Sequence, residues 1–335
     1  MSANTLLLDY GSGGKASHRL ISELFLKHLG NPILNELDDA AFLELSGPVA
    51  MSTDTFTVDP IFFPGGDIGS LAVHGTVNDV AMLGAKPRYI SCAFILEEGL
   101  NMDDLERIVA SMGQAAREAG VLVVTGDTKV VPRGAVDKIF INTTGIGEVV
   151  ASSVPKGNRA EPGDVVLVNG SIGDHGLTIL AQREGLSFEA PVQSDSASLH
   201  HLILKLIREL PEIHVLRDPT RGGLATTVNE IAGQSKAGVI LEEDRVPIKE
   251  AVRSGCSFLG LDPLYLANEG KFLCILPEQS AEKALSIMQA DPLGREACRV
   301  GMVVAEHPGK VALKTSLGGH RLLDMLEGEQ LPRIC

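Results

Sequence analysis

The sequence predicts an α/β (α+β) protein built as two domains, and three features carry that prediction. Strand-like apolar runs alternate with helix-period stripes from residue 49 onward. The stretch ASSVPKGNRAEPG (151–163) loses all periodicity and holds two prolines and two glycines, the composition of a linker. The 335 residues exceed what one domain usually holds, at roughly 100–200 residues each. The boundaries expected are 1–152, 153–327 and a short flexible tail, 328–335.

Taken in order, VAMSTD (49–54) reads as a strand running into an acid. DIGSLAVHGTVNDVAML (67–83) places Ile68, Leu71, Ala72, Val73, Val77, Val80 and Ala81 on a broad helical stripe. DDLERIVASMGQAAREAG repeats Leu105, Ile108, Val109, Met112, Ala115 and Ala116 at the same period, and Gly120 is positioned as a C-cap. VLVV (121–124) is a buried strand that ends in TGDTK. Beyond the linker, DVVLV (164–168) is a strand. SLHHLILKLIREL is an amphipathic helix through Leu199, Leu202, Ile203, Leu206 and Leu210. DPTRGGLATTVNEIAG (218–233) reads as a loop opening a helix. Nothing repeats at the 20–50-residue period of a solenoid.

Composition excludes several classes. The net charge of −14 repels a phosphate backbone, and no Lys/Arg run exceeds two. Tryptophan is absent, which removes the best platform for stacking single-stranded bases. No apolar run is long enough to span a bilayer, and MSANTLLLDYGSGGK lacks the basic start and apolar core of a signal peptide. The five cysteines (Cys92, Cys256, Cys274, Cys298, Cys335) are odd in number and never spaced C-x-x-C. That argues against a disulfide framework or a zinc knuckle and points to the cytoplasm. Cys92, Cys274 and Cys298 sit in apolar runs, as small buried hydrophobes do.

The candidate chemistry lies in acids near the ends of apolar elements: Asp38 and Asp39 in LDDAAF, Asp54 in STDTF, Asp79 in VNDVAM and Asp127 in TGDTK. Each alone is more often a turn former. Together they would suit Mg²⁺, which takes one or two carboxylates plus substrate phosphates. GSGGK (11–15) is a glycine-rich stretch closed by Lys15, without the Walker A pattern, and alone it reads more readily as a flexible tail than as a phosphate cradle. TRGG (220–223) stands at a helix start, where the dipole favours an anion. His175 in GDHG and Glu269 in ANEGK are candidate proton acceptors. No G-x-S-x-G elbow is present.

These motifs together, with DPIFFPGGDIGSLAVHGTVNDVAMLGAKPRYIS, RDPTRGG and the closing PRIC (332–335), resemble the HypE family of hydrogenase maturation proteins. That family sits in the superfamily of aminoimidazole ribonucleotide synthetase, selenophosphate synthetase and thiamine-monophosphate kinase. The likeness runs from about residue 8 to the last. It implies an N-terminal α/β half that dimerises through its sheet and a C-terminal α/β half. It also implies a reaction. The closing Cys335 accepts a carbamoyl group from a HypF-type transferase, and ATP drives dehydration of the S-carboxamide to a thiocyanate. The cyanide then passes to iron on a HypC–HypD complex, for a [NiFe] hydrogenase.

By the same resemblance Gly11, Gly13, Gly14, Lys15, Asp38, Asp39, Asp54, Asn78, Asp79, Asp127, Thr128, Asp218, Thr220, Gly222 and Gly223 would bind ATP. Asp39, Asp54, Asp79 and Asp127 would hold Mg²⁺, and Lys129 would offset developing charge. Glu269 is the first choice of base and His175 the second. The seven steps from Gly328 to Cys335 would reach ~25 Å at ~3.3–3.6 Å each. Arg333 would either dock this tail on the acidic body or favour the Cys335 thiolate. The alternatives are another ATP-using member of the superfamily, a selenophosphate synthetase or small-molecule kinase, or a carrier thiol without catalysis. Selenophosphate synthetases need a reactive Cys near the N-terminus, and the first Cys here is Cys92.

Overall fold

The computed structural model describes residues 5–11, 14–186, 192–328 and 333–335. Gly13, residues 187–191 and Pro332 lie outside the described residues.

The first half opens with α1 (Lys15–Leu20) and α2 (Leu26–Leu29), then β1 (Val49–Phe56) and the two-residue strands β2 (Phe62–Phe63) and β3 (Gly66–Asp67). It continues with α3 (Ile68–Met82), β4 (Ala85–Glu97), α4 (Met102–Ala119), β5 (Leu122–Val131) and β6 (Ile139–Val149). A four-stranded sheet runs β1-β6-β4-β5, antiparallel except for the parallel β4–β5 pair. Strand β6 alternates buried and half-buried residues, as a sheet with one packed face requires. The packed face meets α3 and α4 through Ile90, Leu96, Leu105, Ile108, Met112, Ile139 and Ile141. Each such side chain contributes roughly 1.5–3 kcal/mol of burial.

Local chemistry sets the helix ends. Asp67 caps α3 by accepting from Gly69 N (2.8 Å) and Ser70 N (3.0 Å), and Ser70 Oγ accepts from Asp67 N in return. Asn101 caps α4, and Gly120 ends it in the left-handed conformation, φ 65°. Strand β5 differs from expectation. It does not stop at TGDTK but carries Asp127 mid-strand, because β4 pairs with it through Glu97↔Val131.

Residues 150–163 carry neither helix nor strand. After them come β7 (Asp164–Val168), α5 (Asp174–Arg183), α6 (His200–Glu209), β8 (Val215–Arg217), α7 (Gly223–Ser235) and β9 (Gly238–Glu242). The chain closes with α8 (Glu250–Leu259), β10 (Leu273–Pro277), α9 (Ala281–Gln289), β11 (Cys298–Val304), β12 (Val311–Lys314) and β13 (His320–Leu322). The second sheet runs β13-β12-β9-β11-β7-β10-β8. Strand β7 is buried at all five positions because both faces are covered. Val165 and Leu167 pack with Leu202, Ile203 and Leu206 of α6, while Val166 and Val168 pack with Leu224, Val228 and Ile231 of α7.

Helix α3 joins the halves. Its last turn puts Ala81 and Met82 into the α6 core, which is why it is apolar nearly all round. Among the described residues no helix is long and apolar enough to cross a membrane.

Candidate active site

A cavity of about 450 Å³ opens between the halves. β1 brings Asp54 and α3 brings Asp79. The turn between β8 and α7 brings Asp218, Thr220 and Arg221 beside Arg217. The turn before β10 brings Glu269, and the tail brings Cys335. Asp79 Oδ2 accepts from the Ser52 hydroxyl at 2.6 Å. Burial first, then the neighbouring Asp79 carboxyl, pushes Asp54 up to about 6. Burial and then Asp218 do the same to Asp79, also to about 6. Asp218 rises to about 6 chiefly through burial. Glu269 is 4% exposed. Burial, followed by Asp195 and the three aspartates, raises it well above the usual carboxyl range. Its Oε1 has no hydrogen-bond partner among the described residues.

The tail end is docked. Thr57 N donates to Cys335 O at 2.8 Å, and Asp59 N to Arg333 O at 3.3 Å. Arg183 Nη2 donates to Arg333 O at 2.9 Å. Ile334 is 5% exposed and belongs to the core of the first half. Of the two roles expected for Arg333, docking is the one seen: it donates to Thr57 O (2.8 Å) and pairs with Asp137 (2.6 Å). Burial, then Glu269, pushes the Cys335 thiol up to about 12, so the docked sulfur is a neutral thiol. Cys92, Cys256 and Cys274 are buried and Cys298 is half-buried.

The candidate set therefore divides. Asp54, Asp79, Asp218, Thr220, Glu269 and Cys335 line one cavity. Asp127, Thr128 and Lys129 do not. They sit on β5, three strand spacings from β1, about 14 Å away at ~4.8 Å per strand. There Lys129 pairs with Asp127 at 3.0 Å and holds its carboxyl below the usual range. Gly11 joins this second cavity, about 260 Å³ and largely apolar; a Cβ on Gly11 would meet Val130 N at 2.5 Å. Lys15, Gly14, Asp38 and Asp39 are exposed. Asn78 is buried, but its amide serves the backbone, donating to Ala197 O (2.9 Å) and accepting from Leu199 N (2.8 Å). Gly222 and Gly223 are turn glycines with φ 75° and 61°. A Cβ on Gly223 would lie 2.5 Å from Leu266 O.

His175, the second choice of base, contacts the tail and does not line the cavity. Both ring nitrogens are occupied, by Ser194 Oγ and Ile334 O at 2.8 Å each, and burial lowers its proton affinity. Residues that reasoning from sequence passed over are Arg217, Arg221 and Lys156, the cationic side of the cavity. The two arginines bracket the DPT of RDPTR, a spacing that was visible. Their approach to Asp54 was not, because it depends on how the halves pack.

Models of AIR synthase related proteins match the chain twice, the N-terminal domain over residues 37–149 and the C-terminal domain over 161–314. The carbamoyl dehydratase HypE of Azotobacter vinelandii is 56% identical over 327 residues, covering 97% of this chain and 96% of that protein. The chain belongs to the HypE family. Among solved structures, a hydrogenase maturation protein HypE in complex with ATP is 69% identical with a TM-score of 0.97, covering 99% of this chain and 100% of that one. A chain from a HypE–HypF complex is 48% identical with a TM-score of 0.81, covering 92% and 99%. Cys335 lies on the wall of the acidic cavity.

Proposed function

We propose that this chain is an ATP-dependent carbamoyl dehydratase acting on its own Cys335. The observation that carries the reading is the docked tail, which places a thiol beside an unpartnered buried carboxyl, Glu269, and a wall of aspartates. The overall change balances as S-carboxamide plus ATP giving thiocyanate, ADP, phosphate and a proton. The C–O bond breaks, its oxygen leaves in phosphate, and both N–H bonds are lost. ATP supplies the phosphoryl group that makes that oxygen a leaving group.

The chain's own groups do the rest. Arg217, Arg221 and Lys156 line the cavity as cations suited to a phosphate chain. Glu269 is placed to take an N–H proton, and its raised proton affinity makes its ionised form a better acceptor. Ile334 and Arg333 favour the docked tail, in which a carboxamide on Cys335 would sit near its base. Asp54, Asp79 and Asp218 fit a hard cation. Three oxygen donors share one wall, and a divalent ion would offset the burial, and secondarily the mutual repulsion, that raise them. No three His, Cys, Asp or Glu among the described residues close on one point; Mg²⁺ commonly takes only one or two carboxylates and completes its shell with phosphates.

Dimerisation through the first sheet is part of the proposal. Its outer face leaves Val49, Met51, Ile95 and Leu122 exposed, a patch that a second copy would cover. Such pairing would also give Asp127 and Lys129 a route to the nucleotide that they lack within one chain. A HypF-type transferase as donor, a HypC–HypD complex as acceptor and a cytoplasmic setting complete the reading.

Intact-mass spectrometry after incubation with the carbamoyl donor system and ATP tests it. Free thiol, carboxamide and thiocyanate should appear in sequence, and Cys335→Ala should gain neither group. A Cys335→Ala protein that still acquires the carbamoyl mass would end the assignment.

A further inference from the structure

Two consecutive residues outside every motif tie the thiol and its base to one support. Residues 192–198 form an irregular strap between the halves, anchored where Ser194 N donates to Pro64 O at 2.9 Å and Asn78 Nδ2 to Ala197 O at 2.9 Å. Ser194 Oγ accepts from Ser196 N at 3.1 Å. Its own proton is therefore available to His175 Nδ1, 2.8 Å away. That leaves the other ring nitrogen, Nε2, as the N–H that donates to Ile334 O at 2.8 Å. The opposite tautomer would set an imidazole lone pair against a carbonyl lone pair. His175 is 0% exposed, so this orientation is held from all sides.

The next residue grips the turn that carries Glu269. Asp195 Oδ1 accepts from Glu269 N at 3.1 Å. Asp195 Oδ2 accepts from Gly270 N at 3.1 Å and from Lys271 Nζ at 3.0 Å. The approach is close enough that a Cβ on Gly270 would lie 1.8 Å from Asp195 O.

We propose that Ser194 and Asp195 are positioning residues for the dehydration step, Ser194 orienting His175 to clasp the tail at Ile334 and Asp195 fixing Glu269 against it. The inference rests on the carbamoyl-dehydratase reading for its second readout only. The strap sets one distance, between the sulfur that carries the carboxamide and the carboxyl that strips its protons. Loading by a partner needs the tail released, so weakening the clasp cannot slow it.

The test uses the full chain with its carbamoyl-donating partner. In Ser194→Ala, Cys335 should alkylate about 3- to 10-fold faster without nucleotide, the effect of losing one hydrogen bond. Single-turnover dehydration of the loaded tail should slow, loading should not slow, and the melting midpoint should hold. His175→Gln, which keeps a donor near Ile334, should stay close to the parent in both rates; His175→Leu should match or exceed the Ser194→Ala defect. Asp195→Asn should slow dehydration without speeding alkylation. Parent-like alkylation and dehydration in Ser194→Ala would overturn the clasp. So would Gln and Leu variants equally slow in dehydration with parent-like alkylation, which would make His175 a proton acceptor. Parent-rate dehydration in Asp195→Asn would remove the brace on Glu269. Alkylation needs neither ATP nor a carbamoyl group. Faster alkylation in Ser194→Ala alongside a parent that never forms thiocyanate would sink the functional reading and leave the clasp standing.

Discussion

Arg333→Ala should free the tail by a measurable and calculable amount. The substitution removes a bond to Thr57 O at 2.8 Å and an ion pair with Asp137 at 2.6 Å. The ion pair is part-exposed, at 32% and 45% for the two side chains, so screening limits it to the range of surface pairs, about 0.2–1 kcal/mol. The carbonyl bond adds about 1 kcal/mol. The docked state keeps the bonds at Thr57 N, His175 and Arg183. The net loss is about 1–2 kcal/mol, a factor of about 5–30 in the open population. Alkylation of Cys335 reads that population directly. Burial moves the docked thiol from 9.0 to about 12, which cuts its thiolate fraction by about a thousandfold, so reaction passes through the undocked tail. The assay is iodoacetamide labelling near pH 7.5, resolved by peptide mass to separate Cys335 from half-buried Cys298. The rate should rise 5- to 30-fold at an unchanged melting midpoint, and Asp137→Ala should reproduce the smaller, salt-sensitive part. An Arg333→Ala rate within twofold of the parent would refute the docking energetics.

Three further outcomes follow from the same geometry. Glu269→Gln keeps the shape of a buried, unpartnered carboxyl but removes its basicity, so the tail should load normally while dehydration falls by about 10²–10⁴ in single-turnover mass analysis. The aspartate wall gives a pH signature. Asp54, Asp79 and Asp218 are raised from 3.8 to about 6. The stability they contribute is therefore present below pH 3.8 and lost as pH rises through about 6; the gain in melting midpoint on adding Mg²⁺ should be larger at pH 7.5 than at pH 5, and Asp54→Asn should shrink it. Gly223→Ala combines a left-handed φ of 61° with a Cβ 2.5 Å from Leu266 O, so urea unfolding should show a loss of about 2–4 kcal/mol.

Much of the fold was legible because it rests on local periodicity. The α3 and α4 stripes and the Gly120 cap follow from side-chain spacing and backbone conformation. Strand β5 ran past its expected end because the outward face of the sheet tolerates Asp127 and Lys129, and pairing with β4 sustains it. Within the site, Asp54, Asp79, Asp218, Glu269 and Cys335 were each identifiable as residues. Asp127 was grouped with them because acids beside apolar runs look alike in sequence and because the family resemblance implied it; within one chain it does not line the same cavity. Strand order separates them, and no one-dimensional pattern encodes strand order. Arg217 and Arg221 were missed for the converse reason, since their role depends on a facing wall more than 130 residues away.

The sequence by itself determined the α/β elements, the linker at 151–163, the acids able to bear charge and a mobile-looking end carrying a thiol. These follow from composition and short-range spacing. Only the tertiary structure decided which acids share a cavity and that β5 stands apart from β1. It also decided that His175 contacts the tail at Ile334 O, and that Cys335 is half-buried, with its thiol pushed up by desolvation. Those outcomes depend on the packing of α3 between the halves and on desolvation, and both are sums over contacts that are remote along the chain.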